Sequence, residues 1–341
     1  MVLRAPNQLV YEDVPEPLVG PRDVLIQIKA CGICGSDVHG MDGSSGRRIP
    51  PIIMGHEAAG VVIATGREVA GWQPGDRVTF DSTVYCGTCH FCRRGLINLC
   101  DNRRVFGVST PDYRLHGAMA EYVAVPEHVV YRLPDAVTFV QAALVEPMSV
   151  ALHAVARLPV HVNASAVVIG SGPIGLLASQ CLRAAGCGLI YAVDLDAGRL
   201  QLACQLGADR GLHPERDDVV QQVLRGTHAR GVDIALDAVG IAATLNLAVR
   251  CLIKGGALAV VGTYAHQPEL LLQEVVYRQL TLIGSVASCG DYPACLNLIA
   301  RHRVNVDALI SAVAPLAEGA AWFERLRASH GESLVKVVLE P

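Results

Sequence analysis

The densest chemistry in the sequence lies at Cys86, Cys89, Cys92 and Cys100, with the spacing Cys-x2-Cys-x2-Cys-x7-Cys. Four thiolates in one short loop can close a tetrahedron around zinc and leave no coordination position open, so such a site folds a lobe and performs no reaction. The chain has twelve cysteines, and the other eight are scattered. Where disulfides rarely persist, a tightly spaced minority points to metal, with a redox-active pair as the alternative.

A second set is dispersed. Cys34 sits in Cys31-Gly32-Ile33-Cys34-Gly35-Ser36-Asp37-Val38-His39, followed by Gly55-His56-Glu57 and by Glu146-Pro147. An open, catalytic zinc needs about three ligands drawn from thiolate, imidazole and carboxylate. Spacing alone does not join these segments, and taken singly each residue reads as a satisfied structural group.

A third pattern, Gly170-Ser171-Gly172-Pro173-Ile174-Gly175, fits G-x-G-x-x-G between an apolar strand and a helix. In that context the first glycine turns the chain and the second admits a pyrophosphate. The third lets helix and strand pack closely, so the helix N-terminus faces the phosphates. Asp194, nineteen residues beyond Gly175, ends the next strand, where a carboxylate binds ribose hydroxyls of NAD and repels the 2′-phosphate of NADP. Arg199 is the nearby cation that opposes this preference, and a helix N-cap is the structural alternative for Asp194.

The elements that would carry these groups fall into two textures. Residues 1–149 hold short strands at 24–30, 60–64 and 77–80, and read as mostly β. From about 150 the rhythm is strand, helix, strand, helix, with apolar strands at 166–169, 189–193, 232–236, 257–261 and 280–284. That alternation predicts a parallel sheet covered on both faces. A helix near 291–302 and a strand at 333–338 close the chain. The expected organisation is α/β: a mostly β catalytic domain of 1–149 and 288–341 with the cysteine lobe at 86–100, and a doubly wound dinucleotide domain of 150–287.

At 341 residues, 51% hydrophobic and 18% charged, the chain can bury two cores. A net charge of -4 gives no reason to expect nucleic acid or an anionic membrane as partner. Residues 158–182 lack Asp, Glu, Lys and Arg over a bilayer-spanning length, but the glycine turn interrupts them, so they read as strand, turn and helix rather than a span. The opening residues show no apolar leader, and the expected compartment is the cytoplasm.

Taken together and in order, these motifs resemble the zinc-containing medium-chain dehydrogenase/reductase family, most closely its sorbitol (polyol) and butanediol dehydrogenase branches. The resemblance implies a GroES-like catalytic domain, a Rossmann domain, NAD, and two zinc ions per chain, one catalytic and one structural. It implies Cys34 and His56 as catalytic zinc ligands, with Glu57 and Glu146 as the carboxylates at the metal, one direct and one through water. Asp37 matches the carboxylate that orients the ligand histidine. Ser36 and His39 match the relay that carries the hydroxyl proton to solvent.

The implied reaction is oxidation of a secondary alcohol of a polyol or diol to a ketone, with a small-molecule substrate and a homo-oligomer, tetramer or dimer, paired near 281–287. Glu146-Pro147 favours this over threonine dehydrogenases. No arginine follows the last cofactor-domain strand, as it does in several sorbitol dehydrogenases, which points to a smaller diol or differently shaped polyol. Arg47 and Arg48 offer either a phosphate site, hence a polyol phosphate, or a solvated pair. A zinc-free quinone reductase would lack the cysteine lobe, and nothing in the sequence supports a non-enzymatic NAD- and zinc-binding protein.

Overall fold

The strand Asp23–Gly32 alternates inward and outward along its length, burying Val24, Ile26, Ile28 and Ala30. Period-two burial of this kind places one face of a sheet on a core, and each fully buried Val or Ile contributes roughly 1.5–3 kcal/mol. In the computed structural model, which describes residues 1–110, 113–262, 267–328 and 333–341, this strand lies within a seven-stranded sheet. It pairs antiparallel with Glu57–Thr65, with Tyr122–Pro126 and with the terminal strand Lys336–Glu340. Register sets Gly32 opposite both Glu57 and Val338. A Cβ at Gly32 would overlap a Glu57 carboxylate oxygen, so a side chain there would have to displace that carboxylate. Below the sheet, Phe80 and Phe106 meet edge to face at 5.1 Å in a core that includes Leu3, Val123 and Phe323.

This first unit comprises Met1–Glu146, Tyr292–Ala300 and Ile310–Pro341; the second comprises Pro147–Asp291 and Arg301–Leu309. Residues 301–309 thus lie in the second unit. A reciprocal pair of bonds ties them to it: Asn305 N donates to Gln180 Oε1 at 2.7 Å, and Gln180 Nε2 donates to the Asn305 carbonyl at 3.3 Å.

The second unit is a six-stranded parallel sheet in the spatial order 210–212, 189–193, 165–169, 232–237, 252–260, 281–284. The order runs outward from 165–169 in both directions, the doubly wound arrangement with its switch point beside that first strand. Val167, Val168 and Ile169 are buried, as strands covered on both faces must be. The helix Pro173–Ala185 follows with proline in its first turn, where its missing N–H costs nothing, and ends on Gly186 in the left-handed region. Among the described residues no helix is long and apolar enough to cross a membrane.

The first 146 residues are less purely β than expected. A short helix, Gly35–Gly40, follows Cys34, and Thr138 and Gln141 form a capping box on Phe139–Ala143. The helix Val145–Ala156 then begins beside Glu146.

Candidate metal centres and dinucleotide turn

Cys86, Cys89, Cys92 and Cys100 bring their sulfurs within 4.8 Å of one another, compatible with the edges of about 3.8 Å of a zinc–thiolate tetrahedron. None of the cysteines is in a disulfide. Backbone amides point at the sulfurs: Cys89 N donates to Cys86 Sγ at 3.4 Å, Cys92 N to Cys89 Sγ at 3.5 Å and Cys86 N to Cys100 Sγ at 3.3 Å. The Thr88 amide and hydroxyl and the Asn102 side chain lower the Cys86 thiol to about 5, into the thiolate form that a metal requires.

The second cluster is assembled by the sheet. Cys34 precedes the helix Gly35–Gly40, and His56 precedes the strand Glu57–Thr65 that pairs with Asp23–Gly32. Thiolate, imidazole and carboxylate atoms of Cys34, His56 and Glu57 lie within 4.8 Å of one another. Asp37 is fully buried, with Oδ2 3.4 Å from His56 Nδ1: too poorly aligned for a hydrogen bond, close enough for strong attraction. Burial opposes charge on the His56 ring, yet Asp37 and Cys34 beside it push its pKa well above the ordinary value. Surroundings that hold a proton this firmly also favour a metal cation in its place.

Two buried cations complete the set. Lys336, 2% exposed, donates to both oxygens of Glu57 and to the Ile33 carbonyl. Arg48, 4% exposed, donates from Nε and Nη2 to Asp37 Oδ1. It is therefore neither a solvated residue nor a free phosphate-binding cation, whereas Arg47 is exposed. Glu146 keeps some solvent contact and accepts from Ser82 Oγ at 3.3 Å. The protein enclosing it, with Glu57 and Asp81 nearby, pushes its carboxyl up to about 7 against the pull of His56.

Ser36 is exposed and donates to Cys34 Sγ at 3.3 Å; His39, three residues along the same helix, is exposed as well. Lys336 and Ser82 escaped the sequence reading. The lysine had a legible signal, a single charge in the apolar run Val335-Lys336-Val337-Val338.

In the second unit Gly170 adopts φ 93°, and a Cβ at Gly175 would overlap the Gly170 carbonyl, so both glycines are dictated by geometry. Gly172 caps the helix, with Pro173 and Ile174 in its half-buried first turn. Ser171 Oγ is buried with no hydrogen-bond partner, at the helix N-terminus where an anion would find it. Asp194 is not the N-cap of the next helix: Asp196 is, accepting from Arg199 N at 3.0 Å. Asp194 instead accepts from Ser171 N at 2.6 Å and Asp196 N at 2.9 Å, which holds a half-buried carboxylate beside the turn. Arg199 lies in the first turn of that helix.

Residues 20–135 match the alcohol dehydrogenase GroES-like domain, and residues 173–301 match the zinc-binding dehydrogenase domain. D-xylulose reductase A from Aspergillus niger is 32% identical over 97% of this chain and 94% of its own. Sorbitol dehydrogenase from Bacillus subtilis is 32% identical over 100% of this chain and 96% of its own. The solved 2R,3R-butanediol dehydrogenase of Bacillus subtilis superposes with a TM-score of 0.90 at 30% identity, covering 100% of this chain and 98% of its own. A zinc-binding dehydrogenase from Sinorhizobium meliloti 1021, solved bound to NADP, gives 0.92 at 30% identity over 100% and 98%.

A GroES-like domain carrying two metal-donor clusters, joined to a Rossmann-type domain, defines a zinc-dependent dehydrogenase. The chain belongs to the zinc-containing medium-chain dehydrogenase/reductase family.

Proposed function

We propose that this enzyme oxidises a secondary alcohol of a polyol or small diol to a ketone, with NAD as hydride acceptor. The observation that carries the reading is the convergence of Cys34, His56 and Glu57 donor atoms beside the Ser36 hydroxyl. The catalytic zinc domain is the unit containing these residues, and the NAD-binding domain is the unit with the glycine turn. Relatives named for sorbitol, xylulose and butanediol support the substrate class.

Cys34 and His56 would hold the catalytic zinc, with Glu146 as the third ligand. Lys336 already compensates Glu57, which favours Glu57 acting from outside the coordination shell, while Glu146 has the raised carboxyl that a cation would relieve. The metal supplies a lowered pKa for a coordinated hydroxyl, and the dinucleotide supplies the hydride acceptor. Asp37 orients the His56 ring. Ser36 would accept the hydroxyl proton while passing its own through the nicotinamide ribose to exposed His39, which delivers it to solvent. Cys86, Cys89, Cys92 and Cys100 hold the structural zinc.

Gly170, Gly172, Pro173, Ile174 and Gly175 would cradle the pyrophosphate, and Asp194 the ribose, with Arg199 near enough to moderate the preference for NAD. The burial of Arg48 against Asp37 counts against a polyol-phosphate substrate. Among the described residues the strand Thr281–Gly284 pairs on one side only, with 252–260, and exposed Leu272, Val276 and Tyr277 lie on the preceding helix. That edge favours pairing with a second copy, hence a homo-oligomer, in our reading a cytoplasmic tetramer.

A panel of sorbitol, xylitol, 2,3-butanediol, threonine and a hexitol phosphate, each with NAD and NADP, tests the proposal. NADH formation from an unphosphorylated polyol or diol is expected; turnover confined to threonine or the phosphate overturns it.

A further inference from the structure

We propose that Arg48 is a positioning residue for the catalytic centre, holding Asp37 and Ser36 in the places from which they act. The inference rests on the metal-site reading above and adds to it a residue outside the donor set.

Both Arg48 contacts to Asp37 fall on one oxygen, Oδ1, from Nε at 3.2 Å and Nη2 at 2.6 Å. The other oxygen, Oδ2, is left facing His56 Nδ1. The same Nη2 reaches Ser36 Oγ at 3.5 Å, and Ser36 in turn donates to Cys34 Sγ. One guanidinium thus ties the carboxylate beside the imidazole to the hydroxyl beside the thiolate. A planar guanidinium holds its donors in fixed directions, whereas an ammonium is a point charge with rotatable donors on a flexible stem.

The fork is itself held. Ser109, fully buried, donates from its amide to the Arg47 carbonyl at 2.9 Å, and its hydroxyl accepts from Ile49 N at 3.0 Å and donates to the Ile49 carbonyl at 3.1 Å. The backbone is therefore clamped on both sides of Arg48. On the helix opposite, Gly40 leaves room for the stem: a Cβ there would stand 3.0 Å from Arg48 Cγ. Burying an arginine and an aspartate costs solvation on both sides, and removing one partner strands the other.

The test compares wild type, Arg48→Met, Arg48→Lys and Ser109→Ala, all as purified zinc-loaded protein. Zinc release to a chelator is followed in two phases, one for each metal. The visible absorption spectrum after cobalt exchange reports the geometry of the His56 site. Arg48→Met is expected to keep its far-UV circular dichroism and the structural zinc. It should release the second zinc 10–100-fold more readily, the usual effect of losing a ligand's orienting partner. Its cobalt bands should shift, and kcat should fall while KM for the polyol changes little. Arg48→Lys and Ser109→Ala should lie between it and wild type. If Arg48→Met does not fold, Arg48→Lys decides the matter, because it keeps the charge and removes the fork.

Wild-type zinc release and cobalt spectra in Arg48→Lys overturn the proposal. So does an Arg48→Met protein that keeps both metals normally and loses only binding of a hexitol phosphate, which would make Arg48 a substrate contact. A wild-type protein with a single zinc would instead refute the metal-site reading itself.

Discussion

Lys336 Nζ donates to both carboxylate oxygens of Glu57, at 2.9 and 2.7 Å, and to the Ile33 carbonyl at 3.0 Å. One terminal-strand side chain therefore pins the segment leading to Cys34 and the segment following His56. Breaking a buried ion pair from one side leaves an uncompensated charge and costs about 3–5 kcal/mol, whereas replacing both members is far milder. Lys336→Met should lower stability by that amount in urea unfolding, and Lys336→Met with Glu57→Gln should recover at least half of the loss. Independent, additive effects in this double-mutant cycle would contradict the coupling.

Glu57 and Glu146 can be separated by metal content. Glu146→Gln should leave about one zinc per chain by elemental analysis, with the cysteine lobe still loaded and turnover lost. Glu57→Gln should retain both metals with weakened affinity at the second site. The opposite pattern would make Glu57 the direct ligand.

The raised Glu146 carboxyl gives the same site a pH signature. An acid whose value rises from the ordinary 4.5 to about 7 on folding binds its proton more tightly folded than unfolded. The metal-free protein therefore loses this contribution to stability as pH climbs from 4.5 through about 7. Zinc must displace that proton, so its apparent affinity should rise with pH up to about 7 and then level off for this group. In Glu146→Gln the weakened second site, titrated with added zinc, should show a slope of log affinity against pH below 7 smaller by about one proton; an unchanged slope would exclude Glu146 from the site.

The uneven legibility of these features follows from how locally each is encoded. The cysteine lobe was readable because Cys86 to Cys100 lie in one loop, and the glycine turn because strand, turn and helix are contiguous. Cys34 meets His56 and Glu57 only through strand register, with Gly32 opposite Glu57, which no spacing rule reports. Arg48 misled for a related reason: beside Arg47, in a glycine- and serine-rich stretch, it reads as solvated, and only the Ser109 clamp turns it inward. Residues 301–309 are tied to the second unit by a side chain 125 positions away.

The cysteine lobe should behave as a separate folding element. Cys89→Ser removes one of four thiolates, and a structural zinc site rarely survives that loss. We expect one zinc per chain, faster proteolysis within 86–104, and a second metal still competent to exchange for cobalt. Loss of both metals together would show that the two centres are not independent.

Asp194 has two duties that substitution can separate. Its oxygens hold the Ser171 and Asp196 amides, and in our reading its charge also meets the ribose of the dinucleotide. Asp194→Asn keeps an acceptor for one amide but removes the charge, so NAD affinity should fall about tenfold, roughly 1.4 kcal/mol, while NADP affinity rises. Asp194→Ala also frees both amides and should weaken the two cofactors alike. Titration of each variant with NADH and NADPH by fluorescence distinguishes the outcomes, and an Asp194→Asn protein with an unaltered ratio of affinities would assign the choice of cofactor to Arg199 or to another residue.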